Sequence, residues 1–276
     1  MKDTLTLRFL YRTVPGRLLL RLLVQPGVSK VAGAFLSSGL SKGAIPYFIR
    51  KNHIDMNGIQ IPPGGFPSFN SFFTRKRISE HGTFPTEQLI SPCDGYLRAV
   101  EIKKDIVLEV KHSRYSLVDL LADAGLAKEF ENGIALIFRL TPANYHRYCY
   151  PADGTVLSSK RINGKLHCVR PIALRTIPVF VQNSREYQAV KTKQFGMMVQ
   201  MEVGALLVGK ISNHKVSAGS YVQAGKEKGY FEFGGSTIIL LVQKDSITLN
   251  TEVFLHWNKE GEATVHQGDV IACANR

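Results

Sequence analysis

One stretch decides how this sequence is interpreted: Gly229-Tyr230-Phe231-Glu232-Phe233-Gly234-Gly235-Ser236-Thr237-Ile238-Ile239-Leu240-Leu241. An alternating apolar segment runs into two glycines, then a Ser-Thr pair, then four aliphatic residues. Glycine inside a strand weakens it and usually marks a bulge, a bend or a close backbone approach. The hydroxyl of Ser236 therefore stands on a strand that otherwise has the pattern of a fully buried one.

Two interpretations of this stretch compete. In the first, the glycines form a β-bulge and Ser236 is a small polar residue beside it. In the second, the backbone is open to attack, and the Ser236 hydroxyl reacts with the carbonyl of Gly235, where no Cβ hinders it. The rest of the chain favours the second interpretation.

Five other blocks follow one another along the chain, and together with the Gly-Ser-Thr segment they resemble the phosphatidylserine decarboxylases. The resemblance covers about residues 66 to 275. The blocks are Phe69-Asn70-Ser71-Phe72-Phe73-Thr74-Arg75-Lys76, Ser91-Pro92-Cys93-Asp94-Gly95, Tyr145-His146-Arg147, Val203-Gly204-Ala205 and Val208-Gly209-Lys210-Ile211.

This resemblance implies a proenzyme with a self-made cofactor. Ser236 attacks Gly235, the peptide rearranges to an ester, and elimination followed by hydrolytic loss of ammonia converts Ser236 to a pyruvoyl group at the new N-terminus of residues 236–276. The products are chains 1–235 (beta) and 236–276 (alpha), which stay associated. The pyruvoyl ketone would form a Schiff base with the substrate amine and accept the electrons released with carbon dioxide. No pyridoxal phosphate, metal or nucleotide is then required, and the sequence has no Walker loop or H-E-x-x-H motif for them.

The resemblance also implies an Asp-His-Ser relay of Asp94, His146 and Ser236. A histidine takes the serine proton, and a carboxylate orients that histidine. Asp94 alone would be interpreted as a turn residue before Gly95, and His146 alone as a loop histidine. The family often has a second histidine three residues after the first, where this chain has Cys149. Either His146 performs both proton transfers, which we favour, or Cys149 acts as a thiolate.

A second histidine lies in another block that resembles the family, from Gly164-Lys165-Leu166-His167 to Asn183-Ser184-Arg185-Glu186-Tyr187. His167 is either an additional acid or base or an ordinary strand residue. We favour the strand residue.

Composition limits the classes of partner. The chain has 276 residues with 44% hydrophobic content, enough for one large domain or one and a half. Its 35 Lys and Arg against 22 Asp and Glu give a formal net charge of +13, which favours anionic partners. No nucleic acid is predicted, because zinc-finger spacings and aromatic-basic motifs are missing. The four scattered cysteines indicate reduced thiols and a cytoplasmic compartment.

Residues 4 to 40 are leucine-rich and basic. Their uncharged apolar runs are too short to span a bilayer. A signal peptide cut at Ala32-Gly33-Ala34 is disfavoured by Arg21 and Pro26. Two short helices separated by Pro26-Gly27 are predicted, either packed on the domain or lying in a membrane interface. We place the domain boundary in the loop near residue 65, which gives a helical membrane-associating region 1–65 and a decarboxylase domain 66–276.

The remaining pattern predicts an α+β fold, with a β-rich catalytic core, N-terminal helices and one long helix between strands. That helix is predicted from Ser116 as cap to Asn132-Gly133. Strands are predicted at 133–140, 197–211, 236–242 and 247–254.

The functional hypothesis is decarboxylation of phosphatidylserine to phosphatidylethanolamine by a peripheral protein on the cytoplasmic face of an anionic membrane. Two alternatives remain open: pyruvoyl-dependent decarboxylation of a soluble amino acid, and a non-catalytic β-sandwich module. The sequence also permits a homodimer.

Overall fold

The computed structural model describes residues 5–78, 82–104, 106–110, 113–168, 173, 178–205, 210–233, 236–255, 258 and 261–275. Its helices are α1 Leu5–Arg12, α2 Val14–Leu23, α3 Pro26–Ser37, α4 Ile45–Asn52, α5 Phe69–Phe73, α6 Leu117–Leu121, α7 Ala124–Lys128 and α8 Val179–Gln182, with 3-10 turns at Gly39–Ala44 and Thr251–Phe254. Its strands are β1 Ile59–Gln60, β2 Lys76–Arg77, β3 Gln88–Ile90, β4 Gly95–Glu101, β5 Ile106–Val110, β6 Ser113–Ser116, β7 Ile134–Leu140, β8 Arg147–Cys149, β9 Gly154–Ile162, β10 Arg185–Lys191, β11 Met197–Val203, β12 Ile211–Asn213, β13 Tyr221–Val222, β14 Glu227–Phe231, β15 Ser236–Val242, β16 Ile247–Leu249, β17 Ala263–Val265 and β18 Val270–Ala274.

The main sheet is antiparallel and has eight strands in the order β13-β9-β10-β11-β15-β7-β4-β17. Strand β15 lies near its centre and is hydrogen-bonded to β11 and β7 along its length. All seven residues of β15 are buried. The bounds predicted for this strand, 236–242, are confirmed.

The apolar run of β15 is explained by cover on both faces of the sheet. Side chains alternate between faces along a strand. Ile238, Leu240 and Val242 pack into one core with the short strands β3, β8, β12, β14 and β18. Ile239 and Leu241 pack into a second core beneath α6, α7 and α8. A strand with a core on each side needs apolar residues at every position.

The predicted α+β, β-rich fold class is confirmed, but the single long helix is wrong. Ser116 does cap a helix, because its hydroxyl accepts from the Asp119 amide at 3.0 Å. The helix then ends at Ala122, whose φ is 49°. Asp123 caps a second helix by accepting from the Leu126 amide at 3.0 Å. A short acidic side chain that competes for backbone amides divides the predicted helix into two.

Two other predicted strands are shorter than expected. The segment predicted at 247–254 leaves extended conformation after Leu249 and continues as the 3-10 turn Thr251–Phe254. Asn250 starts this turn, since its side chain accepts from the Glu252 amide at 3.1 Å. The segment predicted at 197–211 is a strand to Val203 and again from Ile211, and residues 206–209 lie outside the described residues.

The N-terminal 40 residues form three helices rather than the predicted two. The predicted division at Pro26 is present, because Pro26 begins α3. A further division lies at Thr13, whose hydroxyl accepts from the Gly16 amide at 3.1 Å. Pro15 follows in the first turn of α2, a position that tolerates its missing N–H. A cap and a proline together therefore start a new helix.

These helices pack on the rest of the protein along one side. Leu10, Tyr11, Leu20 and Val24 form a buried cluster with residues that include Val179. Further along, Ile45 and Ile54 pack with the phenylalanines of α5. The domain boundary near residue 65 stays a prediction. Within the part of the chain that the structure describes, no helix has the length and apolar character needed to cross a membrane.

Candidate active site

One end of the main sheet collects the predicted site residues. A continuous row of paired residues crosses six strands at this end: Tyr96, Arg139, Thr237, Val203, Arg185 and Ile162. Neighbouring strands lie about 4.8 Å apart, so β4 and β15, which flank β7, are about 10 Å apart. Asp94 immediately precedes β4, and Ser236 is the first residue of β15, one position before the row. The sheet therefore brings two residues that are far apart in sequence to one edge.

Ser236 is the first residue of β15 and pairs with Leu140. It is fully buried, and among the described residues its Oγ has no hydrogen-bond partner. The hydroxyl of Thr237 is buried in the same way. A buried hydroxyl without a partner costs free energy, so such a group in a native protein needs an explanation. Gly235, the predicted acyl side of the cleaved bond, lies outside the described residues.

Asp94 is held by two contacts. One carboxylate oxygen accepts from Nη2 of Arg77 at 2.7 Å, and the other accepts from the backbone amide of Gln267 at 2.9 Å. The next residue, Gly95, lies against β7, where an added Cβ would be 2.8 Å from the carbonyl oxygen of Arg139. Glycine is therefore needed at that position to bring Asp94 close to the sheet.

His146 lies in the loop between β7 and β8 and is fully buried. Its Nδ1 is 2.8 Å from the carbonyl oxygen of Asn144. A carbonyl oxygen only accepts, so Nδ1 is assigned the proton and Nε2 carries the free lone pair. Among the described residues Nε2 has no partner. The ring packs on Phe73 with centroids 3.9 Å apart.

Burial lowers the pKa of His146 from 6.5 to about 3, and the positive charge of Arg75 adds to the effect. The imidazole is neutral at every physiological pH, so its lone pair is available, but its affinity for a proton is lower than usual.

No hydrogen bond joins Asp94 to His146 within the described residues. Both carboxylate oxygens of Asp94 are engaged elsewhere, and His146 is oriented by the carbonyl of Asn144. Arg75 links the two electrostatically, since its charge interacts with Asp94 and lowers the pKa of His146. The relay of Asp94, His146 and Ser236 stays a prediction.

The segment from Asn70 to Arg77 contacts Asp94, His146 and Phe233, and sequence reasoning assigned no role to its residues. Asn70 accepts from the Phe233 amide at 3.2 Å, three residues before Ser236. Phe73 packs on both His146 and Phe233. Arg77 pairs with Asp94. The sequence feature that could have indicated a role for this segment is its composition, because an asparagine and two arginines stand among phenylalanines.

Arg75 is the residue of this segment whose buried N–H groups most lack hydrogen-bond partners. Its Nη2 lies 3.4 Å from the carbonyl oxygens of Ala143 and Asn144. Its Nε and Nη1 are buried and have no partner among the described residues. Burial lowers the pKa of Arg75, and the nearby carboxylate of Asp94 opposes that effect. The guanidinium thus places a positive charge beside the imidazole of His146.

Cys149 and His167 are the two remaining candidates. Cys149 is buried, and burial raises its pKa to about 12, which disfavours a thiolate. His167 lies in an irregular segment and not in a strand, so the interpretation as a strand residue is wrong. Its amide donates to the side chain of Asn183, at 2.9 Å from Oδ1, and not to a neighbouring strand. Burial lowers the pKa of His167 to about 4, with a contribution from Lys165.

In the described part of the chain, no three or more His, Cys, Asp or Glu residues form a group that could hold a metal ion. Nε2 of His146 and Oγ of Ser236 are both buried and without a partner among the described residues, and the catalytic roles of these two groups stay predictions.

The low pKa of His146 predicts an acid-dependent loss of stability. Above pH 6.5 the histidine is neutral both folded and unfolded. Between pH 6.5 and about 3 only the unfolded chain binds the proton, so the free energy of unfolding falls as the pH falls. From pH 7 to pH 5 this loss is roughly 2 kcal/mol. Urea unfolding of the Ser236→Ala chain, with and without His146→Gln, measures it.

The control for this experiment is His266→Gln, because His266 is exposed. The His266 variant should lose stability in acid as the parent does, whereas the His146 variant should lose roughly 2 kcal/mol less. Equal acid sensitivity of all three chains would show that His146 is not held neutral by the fold.

Fold and site together define a class: a β-rich α+β protein with a buried serine that follows two glycines at the start of a central strand. Comparison with known proteins gives the family. The family model for phosphatidylserine decarboxylase matches residues 69–272. The chain belongs to the phosphatidylserine decarboxylase family.

The sequences of individual relatives are similar to this chain along nearly its whole length. Phosphatidylserine decarboxylase proenzyme 2 of Clostridium acetobutylicum is 42% identical over 98% of this chain and 92% of its own length. The proenzyme of Ruminiclostridium cellulolyticum is 39% identical, covering 96% and 90%. That of Clostridium perfringens is 38% identical, covering 95% and 90%. Family membership confirms the predicted function, a phosphatidylserine decarboxylase. It supports this function over the two alternatives, a decarboxylase of a soluble amino acid and a non-catalytic module.

Proposed function

We propose that this chain is a proenzyme that cleaves itself between Gly235 and Ser236 and then decarboxylates phosphatidylserine to phosphatidylethanolamine. The observation that supports this most is the buried hydroxyl of Ser236, which has no partner among the described residues and stands at the start of the central strand. A nucleophile held in a buried site has no water competing for its hydrogen bonds.

His146 is the base that prepares Ser236 in this proposal. Its Nδ1 proton is fixed by the carbonyl of Asn144, so the lone pair of Nε2 is the group that accepts a proton. Phe73 holds the ring in place from one side. Asp94 contributes its charge through Arg75 and Arg77 rather than through a hydrogen bond to the imidazole.

The residues present fit a pyruvoyl group at position 236. Such a group has one heavy atom fewer than the whole serine residue it would replace, so it fits the same space, and the position is fully buried in the main sheet. The pyruvoyl group supplies an electron sink for the charge left when carbon dioxide departs. The chain's own contribution is to exclude water at this position and to hold a proton donor or acceptor, His146, at the same end of the sheet.

Release of labelled carbon dioxide tests the proposed reaction. With phosphatidylserine in detergent micelles the purified protein should release carbon dioxide, and with free serine at the same concentration it should release almost none. The lipid provides apolar contacts and a phosphate that free serine lacks. Equal rates on both substrates would favour the soluble amino-acid alternative.

We further propose that the N-terminal helices bind the cytoplasmic face of an anionic membrane without crossing it. Helices α1 to α3 leave a set of large apolar side chains exposed although their other side is packed on the protein. Basic residues such as Arg17 and Arg21 stand among them. Apolar burial and attraction of roughly 1 kcal/mol per basic residue would act together. The exposed residues are Leu5, Phe9, Val14, Leu18, Leu19, Leu22, Val28, Val31 and Phe35.

Replacing three of these exposed residues with serine is expected to weaken membrane binding about a hundredfold or more. The variant combines Leu18→Ser, Leu22→Ser and Val31→Ser, and each lost aliphatic group removes roughly 1.5 kcal/mol of burial. Flotation with vesicles that contain phosphatidylserine measures the effect, and high salt should weaken wild-type binding as well.

The matched control removes three exposed apolar side chains elsewhere, through Ile78→Ser, Leu157→Ser and Leu255→Ser. This control should float as wild type does. Equal loss in both variants, or binding that neither salt nor the helical substitutions change, would contradict a role for residues 4–40.

A further inference from the structure

A cavity of about 710 Å³ lies between helix α3 and the same end of the main sheet that carries Ser236. Its floor includes Ser184 and Arg185 at the start of β10. Arg185 and Thr237 belong to the row of paired residues described above, with β11 between them. Two strand spacings are about 10 Å, so the cavity adjoins the candidate active site.

The cavity also reaches the segment that leads to Ser236. Glu232 lines it, four residues before Ser236, and its carboxylate accepts from Lys210 Nζ at 2.8 Å. Asn70 donates to the same carboxylate at 3.3 Å and accepts from the Phe233 amide at 3.2 Å. One wall of the cavity is therefore fixed to the segment that positions the reactive serine.

Helix α3 has two different faces at this point. Lys30, Gly33, Ala34 and Ser37 follow helical spacing and line the cavity. The opposite face carries Val28, Val31 and Phe35, which are exposed. A helix is only about 10 Å thick, so a lipid whose acyl chains contact the outer apolar face of α3 would have its headgroup within reach of the cavity on the inner face. Small residues on the inner face leave the space open.

The charge of the cavity is positive. Among its described lining residues, four are cationic and Glu232 is the only carboxylate. Arg185 is buried, and backbone carbonyls satisfy it, with distances of 2.7 Å to Leu120 and 2.8 Å to Asp119. Arg161 is largely exposed and lies 3.9 Å from Glu186, a distance that makes a weak ion pair. Lys30 and Arg161 therefore have N–H groups to offer an anion.

We propose that this cavity binds the phosphodiester of the phospholipid headgroup, with Lys30 and Arg161 as its charged contacts. The inference rests on the proposed function and names the part of the substrate that this cavity recognises. Arginine and lysine bind phosphate oxygens through charge-assisted hydrogen bonds. The apolar part of the lining, which includes Leu166 and Ile211, suits the glycerol and the first carbons of the acyl chains. The amine and carboxylate of the headgroup then extend toward Ser236.

The test compares the mature wild type with a Lys30→Gln, Arg161→Gln double variant in nonionic detergent micelles. The double variant should raise the KM for phosphatidylserine about tenfold, equivalent to 1.4 kcal/mol, with kcat within about twofold. Self-cleavage should remain complete, which shows that the variant folds. An Arg98→Gln, Lys193→Gln variant removes the same charge from exposed positions outside the cavity and should keep the wild-type KM.

Water-soluble inhibitors distinguish the headgroup from other anions. The inhibition constant of glycerophosphoserine should rise in the double variant by about the same factor as KM, whereas that of serine should not change. Ala34→Phe, which fills the cavity, should also raise KM while vesicle binding is retained.

Three results would overturn the proposal while wild-type activity stands. The KM could be unchanged in the double variant. The increase in KM could appear only with anionic vesicles and not in nonionic micelles, which would indicate that the two cations attract the membrane surface as a whole. Inorganic phosphate could lose its inhibition while the KM for lipid stays the same, which indicates a site for free phosphate. A wild type that neither cleaves nor decarboxylates would instead contradict the proposed function itself.

Discussion

The Ser236→Ala chain is expected to remain one polypeptide of full length with no decarboxylase activity, whereas the wild type separates into chains of 235 and 41 residues. The hydroxyl is the only group that the substitution removes, and alanine is compatible with the buried start of β15. Without the hydroxyl no ester forms, so the cofactor cannot be made. Denaturing electrophoresis and intact mass measure the loss, which should be complete.

Thr237→Val provides the matched control for this experiment. Thr237 is the next residue, and its hydroxyl is also buried without a partner among the described residues. Valine has nearly the same shape, and it removes a buried hydroxyl without a partner, so the variant should fold, cleave and decarboxylate. Cleavage at position 236 in Ser236→Ala, or its loss in Thr237→Val alone, would contradict the assignment of the nucleophile.

The second large effect is expected from His146→Ala, which should slow self-cleavage by about 10²- to 10⁴-fold, the usual contribution of a general base. Cys149→Ala should cleave at close to the wild-type rate, because a buried thiol with a pKa of about 12 is protonated at pH 7. His146→Gln accompanies the alanine variant, since it keeps most of the volume beside Phe73. The fraction cleaved over time measures both rates.

The comparison has two alternative outcomes of interest. Loss of cleavage in the cysteine variant with retention in both histidine variants would assign the base to Cys149. Normal maturation of all three, with loss of decarboxylation in His146→Ala, would make His146 the proton donor to the product instead of the processing base.

The centre of the fold was predictable because its sequence signal is local. A strand that is covered on both faces has an unbroken run of apolar residues in its sequence. The strand at 236–242 was therefore predicted with the bounds observed. The end of the helix after Ser116 was not predicted. The apolar helical period continues across Ala122, although Asp123 starts a new helix there. Competition between an aspartate side chain and the helix backbone does not change hydrophobic periodicity.

The sequence names candidate site residues, whose roles stay predictions, but it does not predict their contacts. Asp94, His146 and Ser236 were named from motifs in chain order. Which atoms they contact depends on loops brought together by the sheet, so the pairing of Asp94 with Arg77 had no sequence signal. The pKa of His146 likewise depends on burial and on the charge of Arg75, both tertiary effects.

The most direct test of the central claim is the intact mass of the small chain from purified wild-type protein, before and after borohydride treatment with substrate. We predict a 236–276 chain lighter by one ammonia than the same peptide with an N-terminal serine, because Ser236 has become a pyruvoyl group. Borohydride should attach substrate to this chain and leave 1–235 unmodified. A single full-length chain, or a small chain with an ordinary serine terminus, would contradict the account.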